Sequence, residues 1–183
     1  MSGVNPKRRL ILLTGFMGAG KTTLAHALAR KLDCEALDLD ASIVRREKRN
    51  INQIVEQEGE AKFRALEREV LRDALEEETA CVIALGGGAW TMEDNRLLIT
   101  GRGGYVVWLD APFALCWRRI EAAGTKMRPL APTRAEAQKL YDARQTFYKL
   151  AALHVKIGEE SSAADLADEI IKRAAWIKTG GVD

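Results

Sequence analysis

The chain has 183 residues, 47% of them hydrophobic and 30% charged, with a formal net charge of +2. That length and mixture predict one globular domain burying roughly 70% of its unfolded surface, and they exclude disorder, collagen and fibrous coiled coil. The balanced charge gives no case for a nucleic-acid or anionic-membrane partner, and the longest uncharged run, Thr79–Met92, is too short and too glycine-rich to span a bilayer.

Lys7-Arg8-Arg9 followed by Leu10–Leu13 imitates the start of a signal peptide, but the apolar run breaks at Thr14-Gly15 and soon meets Lys21. Residues 1–7 and Thr179–Asp183 read as loose tails. Between them, short apolar runs alternate with amphipathic stretches. Arg9–Thr14, Glu35–Leu39, Cys81–Leu85, Tyr105–Leu109 and Val155–Ile157 are predicted strands, and the first, third and fourth are apolar enough to be buried on both faces. Lys21–Leu32 is a predicted helix, with Leu24, Leu28 and Leu32 on one stripe. Further helices are predicted over Glu60–Glu78, Pro112–Ala122, Thr133–Ala151 and Ala163–Lys178. Strand–helix alternation implies right-handed crossovers and a parallel sheet covered on both faces. Gly124–Pro132, with two prolines and two cations, reads as a mobile loop.

Cys34, Cys81 and Cys116 are widely spaced and form no CxxC pair. A metal cluster and a disulfide framework are therefore not expected, and a reducing, cytoplasmic location is.

Gly15-Phe16-Met17-Gly18-Ala19-Gly20-Lys21-Thr22 fits G-x-x-x-x-G-K-[ST] in full, after a predicted strand and at the start of a predicted helix. Glycines let backbone N–H groups turn inward around a phosphate, and the helix terminus adds partial positive charge. Lys21 can reach the β and γ phosphates, and the Thr22 hydroxyl can ligate Mg²⁺. A dinucleotide fold is disfavoured, because Gly18-x-Gly20-x-x-Thr23 lacks the third glycine.

Asp38 and Asp40 end the second predicted strand, where open α/β sheets bind ligands. Alternation on extended backbone would aim both carboxylates the same way, one for the Mg²⁺ shell and one for a hydroxyl proton. The structural alternative is that Asp40 caps a helix over Ala41–Arg49. Gly86-Gly87-Gly88 follows the third strand and suggests close backbone approach to a ligand rather than only a tight turn. Arg64 can pair with Glu67 three residues on, and a braced arginine suits a planar anion. Surface ion pairing is the plainer reading for Arg64 and equally for Arg144. Arg128, in the mobile loop, could neutralise a transferring phosphoryl group. Arg118 or Arg119 could stack on a base. His26 and His154 read as structural, Trp108, Trp117 and Trp176 as core or rim, and Trp90 as a possible pocket wall.

In this order, the phosphate loop, Asp38-x-Asp40, Glu58-Gly59-Glu60, Phe63-Arg64, the glycine triplet, Arg128-Pro129-Leu130 and Arg144 followed by Tyr148 resemble the shikimate kinase family of nucleoside-monophosphate-kinase-like P-loop proteins. The resemblance runs from about Arg9 to Lys172. It implies an α/β fold, a five-stranded parallel sheet flanked by helices, in one domain over residues 1–183. A helical substrate-binding segment is expected at about 40–70 and a mobile lid at about 120–133. The implied reaction moves the ATP γ-phosphoryl group to the 3-hydroxyl of shikimate, in aromatic amino-acid biosynthesis. The implied ATP contacts are Gly15, Gly18, Ala19, Gly20, Lys21, Thr22 and Thr23, with Arg119 and Arg128. Thr22, and Asp38 through water, would hold Mg²⁺. Asp40 would contact the shikimate hydroxyls as the base. Arg64 and Arg144 would bind the carboxylate, and Gly86, Gly87 and Gly88 would line the ring. Val55 stands where the family often carries a larger aromatic. ATP and shikimate are the expected partners of an expected monomer. The alternatives are a gluconate or nucleotide kinase, or an ATP-binding module without kinase activity. A GTPase is disfavoured because N-K-x-D is absent.

Overall fold

The computed structural model describes residues 10–77, 80–124 and 133–174. The two expected tails, Arg9, Trp176 and most of the expected lid, including Arg128, lie outside them.

Five strands form one parallel sheet: β1 (Ile11–Thr14), β2 (Glu35–Asp38), β3 (Ala80–Ala84), β4 (Tyr105–Asp110) and β5 (Leu153–Lys156). Their order is β2-β3-β1-β4-β5, so the chain reverses direction across the sheet next to β1. That reversal is the switch point at which such sheets open a crevice beyond their carboxyl ends. Every residue of β1 and β3 is buried, as their unbroken apolar runs predict. β5 starts earlier than expected. Leu153 and Val155 face the core while His154 and Lys156 face out, and this alternation suits an edge strand.

The helices are α1 (Lys21–Leu32), α2 (Leu39–Glu47), α3 (Ile51–Glu77), α4 (Glu93–Gly101), α5 (Phe113–Ala123), α6 (Arg134–Tyr148) and α7 (Ala163–Arg173). α1 has the predicted bounds and packs on α7, with Lys31 paired to Asp168 at 2.7 Å. α3 is two helical segments joined at Gly59, whose φ of 85° breaks the helical path. Thr133 starts α6 with a reciprocal capping box to Glu136, which fixes the helix that carries Arg144. Among the described residues, no helix is long and apolar enough to cross a membrane.

Two expectations need correction. Cys34 and Cys81 are joined by a disulfide, with Cα atoms 6.0 Å apart. β2 and β3 are neighbours, and the register skips Cys81 (Glu35 pairs Ala80, Ala36 pairs Val82), which places that residue in a bulge beside Cys34. The bond is invisible in the sequence because 47 positions separate the two residues. Second, β2 ends at Asp38, and the following helix starts at Leu39 rather than Ala41. Asp38 is the N-cap, its Oδ1 accepting from the Ala41 N–H at 2.9 Å, and Asp40 sits in the first helical turn. The two carboxylates are therefore not carried by one extended segment. Trp90 is buried in the core. Trp108 and Trp117 are in the core as expected.

Candidate functional site

The loop between β1 and α1 closes on itself through the Ala19 N–H to Phe16 carbonyl bond. Gly18 has φ of 79° and lies so close to the next element that a Cβ there would sit 2.6 Å from the Cys116 carbonyl oxygen. Only glycine fits that geometry. Lys21 Nζ reaches back to the carbonyls of Gly15 (2.9 Å) and Phe16 (3.0 Å), which holds the ammonium over the loop. Arg119, from α5, donates to the carbonyls of Gly18 (3.1 Å) and Ala19 (3.4 Å). Arg118 points elsewhere and pairs with exposed Glu159 at 2.9 Å. The two neighbouring arginines, alike in sequence, thus separate into one on the phosphate loop and one on the surface.

Thr22, on the first turn of α1, donates to Asp38 Oδ2 at 2.5 Å. Thr23 is exposed on the same turn. A hydroxyl and a carboxylate this close, beside a phosphate loop, are the hard oxygen donors that Mg²⁺ takes alongside nucleotide phosphates and water. Among the described residues no group of three or more His, Cys, Asp or Glu could cage a metal. A shared ligand set of that kind needs no such cage.

The glycine triplet leads from β3 into a short 3₁₀ turn, Ala89–Thr91. Each glycine faces a different functional group. A Cβ on Gly86 would lie 2.6 Å from Asp40 Oδ1 and 2.7 Å from Glu67 Oε1. On Gly87 it would meet an Arg144 guanidinium nitrogen at 3.2 Å and the Met17 amide nitrogen of the phosphate loop at 3.6 Å. On Gly88 it would meet the Arg64 guanidinium nitrogens at 2.6 and 2.7 Å. One turn therefore gathers Asp40, two arginines and the phosphate loop around a strip of bare backbone.

Arg64 donates to Glu67 at 2.9 Å and to Glu60 at 3.1 Å. The first bond is not a surface pair, because the Glu67 side chain is only 1% exposed. Burial pushes the Glu67 carboxyl above its usual range, Arg64 opposes that, Asp40 adds to it and Arg144 opposes it. Burial works against the Arg64 charge, but Glu67 and Glu60 together hold its pKa above its ordinary value. Arg144 is also buried, which its sequence position on an amphipathic helix does not reveal. Tyr148, one turn further on, is fully buried and donates to the Gly87 carbonyl at 2.6 Å. Val55 is partly buried against the core at the start of α3.

The family profile described as "Shikimate kinase" matches residues 17–175. The chain belongs to the shikimate kinase family. It is 38% identical to a shikimate kinase of Ruegeria pomeroyi, over 96% of this chain and 90% of that protein. It is 39% identical to one from Cereibacter sphaeroides, over 94% of this chain and 87% of that one. Among solved structures, the shikimate kinase of Acinetobacter baumannii in complex with shikimate is similar, with a TM-score of 0.83, 35% identity and 96% of both chains covered. A gluconokinase of Sinorhizobium meliloti shares the fold, with a TM-score of 0.64 but only 14% identity over 95% of both chains. The shikimate kinases are ATP-dependent phosphotransferases, and the phosphate loop is the part of this chain that suits that nucleotide.

Against the sequence expectations, the structure brings together Gly15, Gly18, Ala19, Gly20, Lys21, Thr22, Arg119, Asp38, Asp40, Arg64, Gly86, Gly87, Gly88 and Arg144. Arg128 lies outside the described residues. Sequence reasoning treated Glu67 only as a brace for Arg64 and missed its burial. Asn95 and Arg96, on the unpredicted helix α4, were missed altogether. Asn95 donates to the Ala89 carbonyl at 3.0 Å, and Arg96 donates to the Trp90 and Thr91 carbonyls at 3.0 and 2.8 Å. They pin the turn that follows the glycines. His26 is exposed, and His154 sits edge-on against Trp108 with its Nε2 near the Lys149 carbonyl.

Proposed function

We propose that this shikimate kinase works by dividing its site at the glycine turn, with the nucleotide on the phosphate-loop side and shikimate on the side of Asp40, Arg64 and Arg144. The observation that carries this division is the set of neighbours of Gly86, Gly87 and Gly88: an acid, a buried arginine beside the phosphate loop, and a braced arginine.

On the nucleotide side, the loop amides from Gly15 to Gly20 and the α1 N-terminus surround the phosphates. Lys21 leaves its carbonyl partners for the β and γ phosphates, Thr23 adds a hydroxyl on the same turn, and Arg119 backs the loop from outside. Thr22 and Asp38, the latter through water, hold Mg²⁺ with the phosphates. When bound, that ion neutralises charge on the transferring group.

On the acceptor side, Arg64 and Arg144 bind the carboxylate of shikimate as planar donors. The glycine turn lets the ring approach backbone. Asp40 accepts the proton of the 3-hydroxyl as the hydroxyl oxygen bonds to the γ-phosphorus and the bond from that phosphorus to the β–γ bridging oxygen breaks, releasing ADP. Little covalent work is then left to the protein, because positioning and charge neutralisation dominate phosphoryl transfer. Arg128, which lies outside the described residues, would neutralise charge on the transferring phosphoryl group. A carboxylate clamp favours shikimate over a nucleotide acceptor. The chain acts as a monomer with one site per domain.

Asp38→Asn and Asp40→Asn separate the two carboxylate roles. Asp40→Asn lowers kcat by about 10²–10⁴-fold, the range for loss of a general base, with an unchanged Mg²⁺ requirement. Asp38→Asn raises the Mg²⁺ concentration needed for half-maximal rate. Wild-type kcat in Asp40→Asn removes the base assignment.

A further inference from the structure

Tyr148 closes α6, one helical turn beyond Arg144, so both side chains lie on the same face of the helix. Its side chain is among the largest that are fully buried. The ring centroid is 6.0 Å from that of Trp108, in the core of the sheet. Only its hydroxyl is polar, and that hydroxyl reaches the Gly87 carbonyl at 2.6 Å across 61 residues of sequence. Gly87 is also the glycine that faces Arg144 and the phosphate loop. Burial pushes the Tyr148 hydroxyl up to about 12, and the neighbouring Arg144 guanidinium pulls the other way. The phenol therefore stays protonated and remains a donor throughout the working pH range.

We infer that Tyr148 is a positioning residue for the acceptor site: its hydroxyl fixes the Gly87 backbone against which the Arg144 guanidinium lies, and so aims that guanidinium at the carboxylate of the substrate. The inference rests on the proposed role of Arg144. The physical reason lies in what Arg144 lacks among the described residues, a carboxylate in an ion pair with it. Arg64 has two carboxylates to orient it. Around Arg144, the Glu67 carboxylate interacts more weakly with it than with Arg64. A planar fork binds a carboxylate bidentately only if its plane is fixed. Tyr148 supplies the fixed point from the same helix, and its rigid ring is locked by packing. The same bond satisfies the part-buried Gly87 carbonyl, so the turn and the arginine are set by one group. Tyr148 touches no reacting atom and acts only through Arg144 and Gly87.

The test is a double-mutant cycle of Tyr148→Phe and Arg144→Ala, read as separate KM values for shikimate and ATP. Tyr148→Phe keeps the ring and removes only the hydroxyl. The expected result is a shikimate KM raised about tenfold, with the ATP KM changed less than about twofold. In the Arg144→Ala background the same substitution adds less than about twofold. Site-specific 3-fluorotyrosine at position 148 keeps the fold and alters only the acidity of the donor, so it moves the shikimate KM alone even if Tyr148→Phe folds poorly. Equal changes in both KM values, an unchanged shikimate KM in Tyr148→Phe, or full additivity with Arg144→Ala would overturn the proposal. An unchanged shikimate KM in Arg144→Ala itself would overturn the carboxylate-binding role, and the proposal with it.

Discussion

Adding one methyl group at Gly86 tests how tightly the glycine turn sets the acceptor side. Gly86 does not have positive φ, so alanine introduces no backbone strain there. The strain is steric. The new carbon would lie 2.6 Å from Asp40 Oδ1 and 2.7 Å from Glu67 Oε1, whereas ordinary contact starts at 3.4 Å. Both contacts must open, by about 0.8 Å at Asp40 and about 0.7 Å at Glu67, through movement of the carboxylates or of the turn. Glu67 has little freedom, being buried and tied to Arg64 at 2.9 Å, so its clash pushes the turn away while Asp40 is displaced by its own. A misplacement approaching 1 Å in a reacting group costs about 10²-fold in rate, or about 2.7 kcal/mol of transition-state stabilisation. Steady-state kinetics of Gly86→Ala should therefore show kcat/KM for shikimate lowered about 100-fold, with the ATP KM within about threefold of wild type. Gly87→Ala should be milder, because its nearest neighbour is an Arg144 nitrogen at 3.2 Å. Gly101→Ala has nothing within 4 Å and should change neither constant. Wild-type kcat/KM in Gly86→Ala, or a greater loss in Gly87→Ala than in Gly86→Ala, would refute the reasoning.

The Cys34–Cys81 bond closes a loop of 47 residues, for which chain entropy gives about 4 kcal/mol of stabilisation. Calorimetry with and without reductant should show a Tm lowered by about 8–16 °C on reduction, and thiol titration of the unfolded, unreduced chain should find Cys116 alone. An identical Tm and three titratable thiols would show the bond absent. Glu67 makes stability depend on pH. Its folded pKa is raised above the ordinary 4.5, mainly by burial, so the folded state holds its proton more tightly than the unfolded chain. The associated stability is full below 4.5 and is lost as pH rises through the raised value. Denaturant titrations of wild type and Glu67→Gln should therefore diverge above pH 4.5, with the downward slope only in wild type; parallel profiles would contradict the burial argument.

The phosphate loop was legible because its chemistry is local. Eight consecutive residues specify the turn, the cation and the helix start, and α1 has the bounds that its leucine stripe predicts. The buried strands β1 and β3 were legible for the same reason: an apolar run of strand length leaves little choice. What failed depended on partners distant in sequence. Asp40 could be read as a strand-end carboxylate or as a helix cap, and the helix start at Leu39 gives the cap to Asp38 instead. α4 has a mostly polar face and buries only Asn95 and Ile99 among its nine residues, too few to announce a helix. The burial of Glu67 and Arg144, the Tyr148 bond to Gly87 and the disulfide all arise from sheet order. That order puts β3 between β2 and β1 and brings the glycine turn under α3 and α6.

The most direct test of the account is ADP release from MgATP with and without shikimate, with gluconate and AMP as parallel acceptors. The account predicts strong stimulation by shikimate alone, because only a carboxylate-bearing ring polyol satisfies Arg64, Arg144, Asp40 and the bare glycine turn together. Tight ATP binding without stimulation by shikimate, or equal stimulation by gluconate, would leave the phosphate loop intact and contradict the acceptor side of the site.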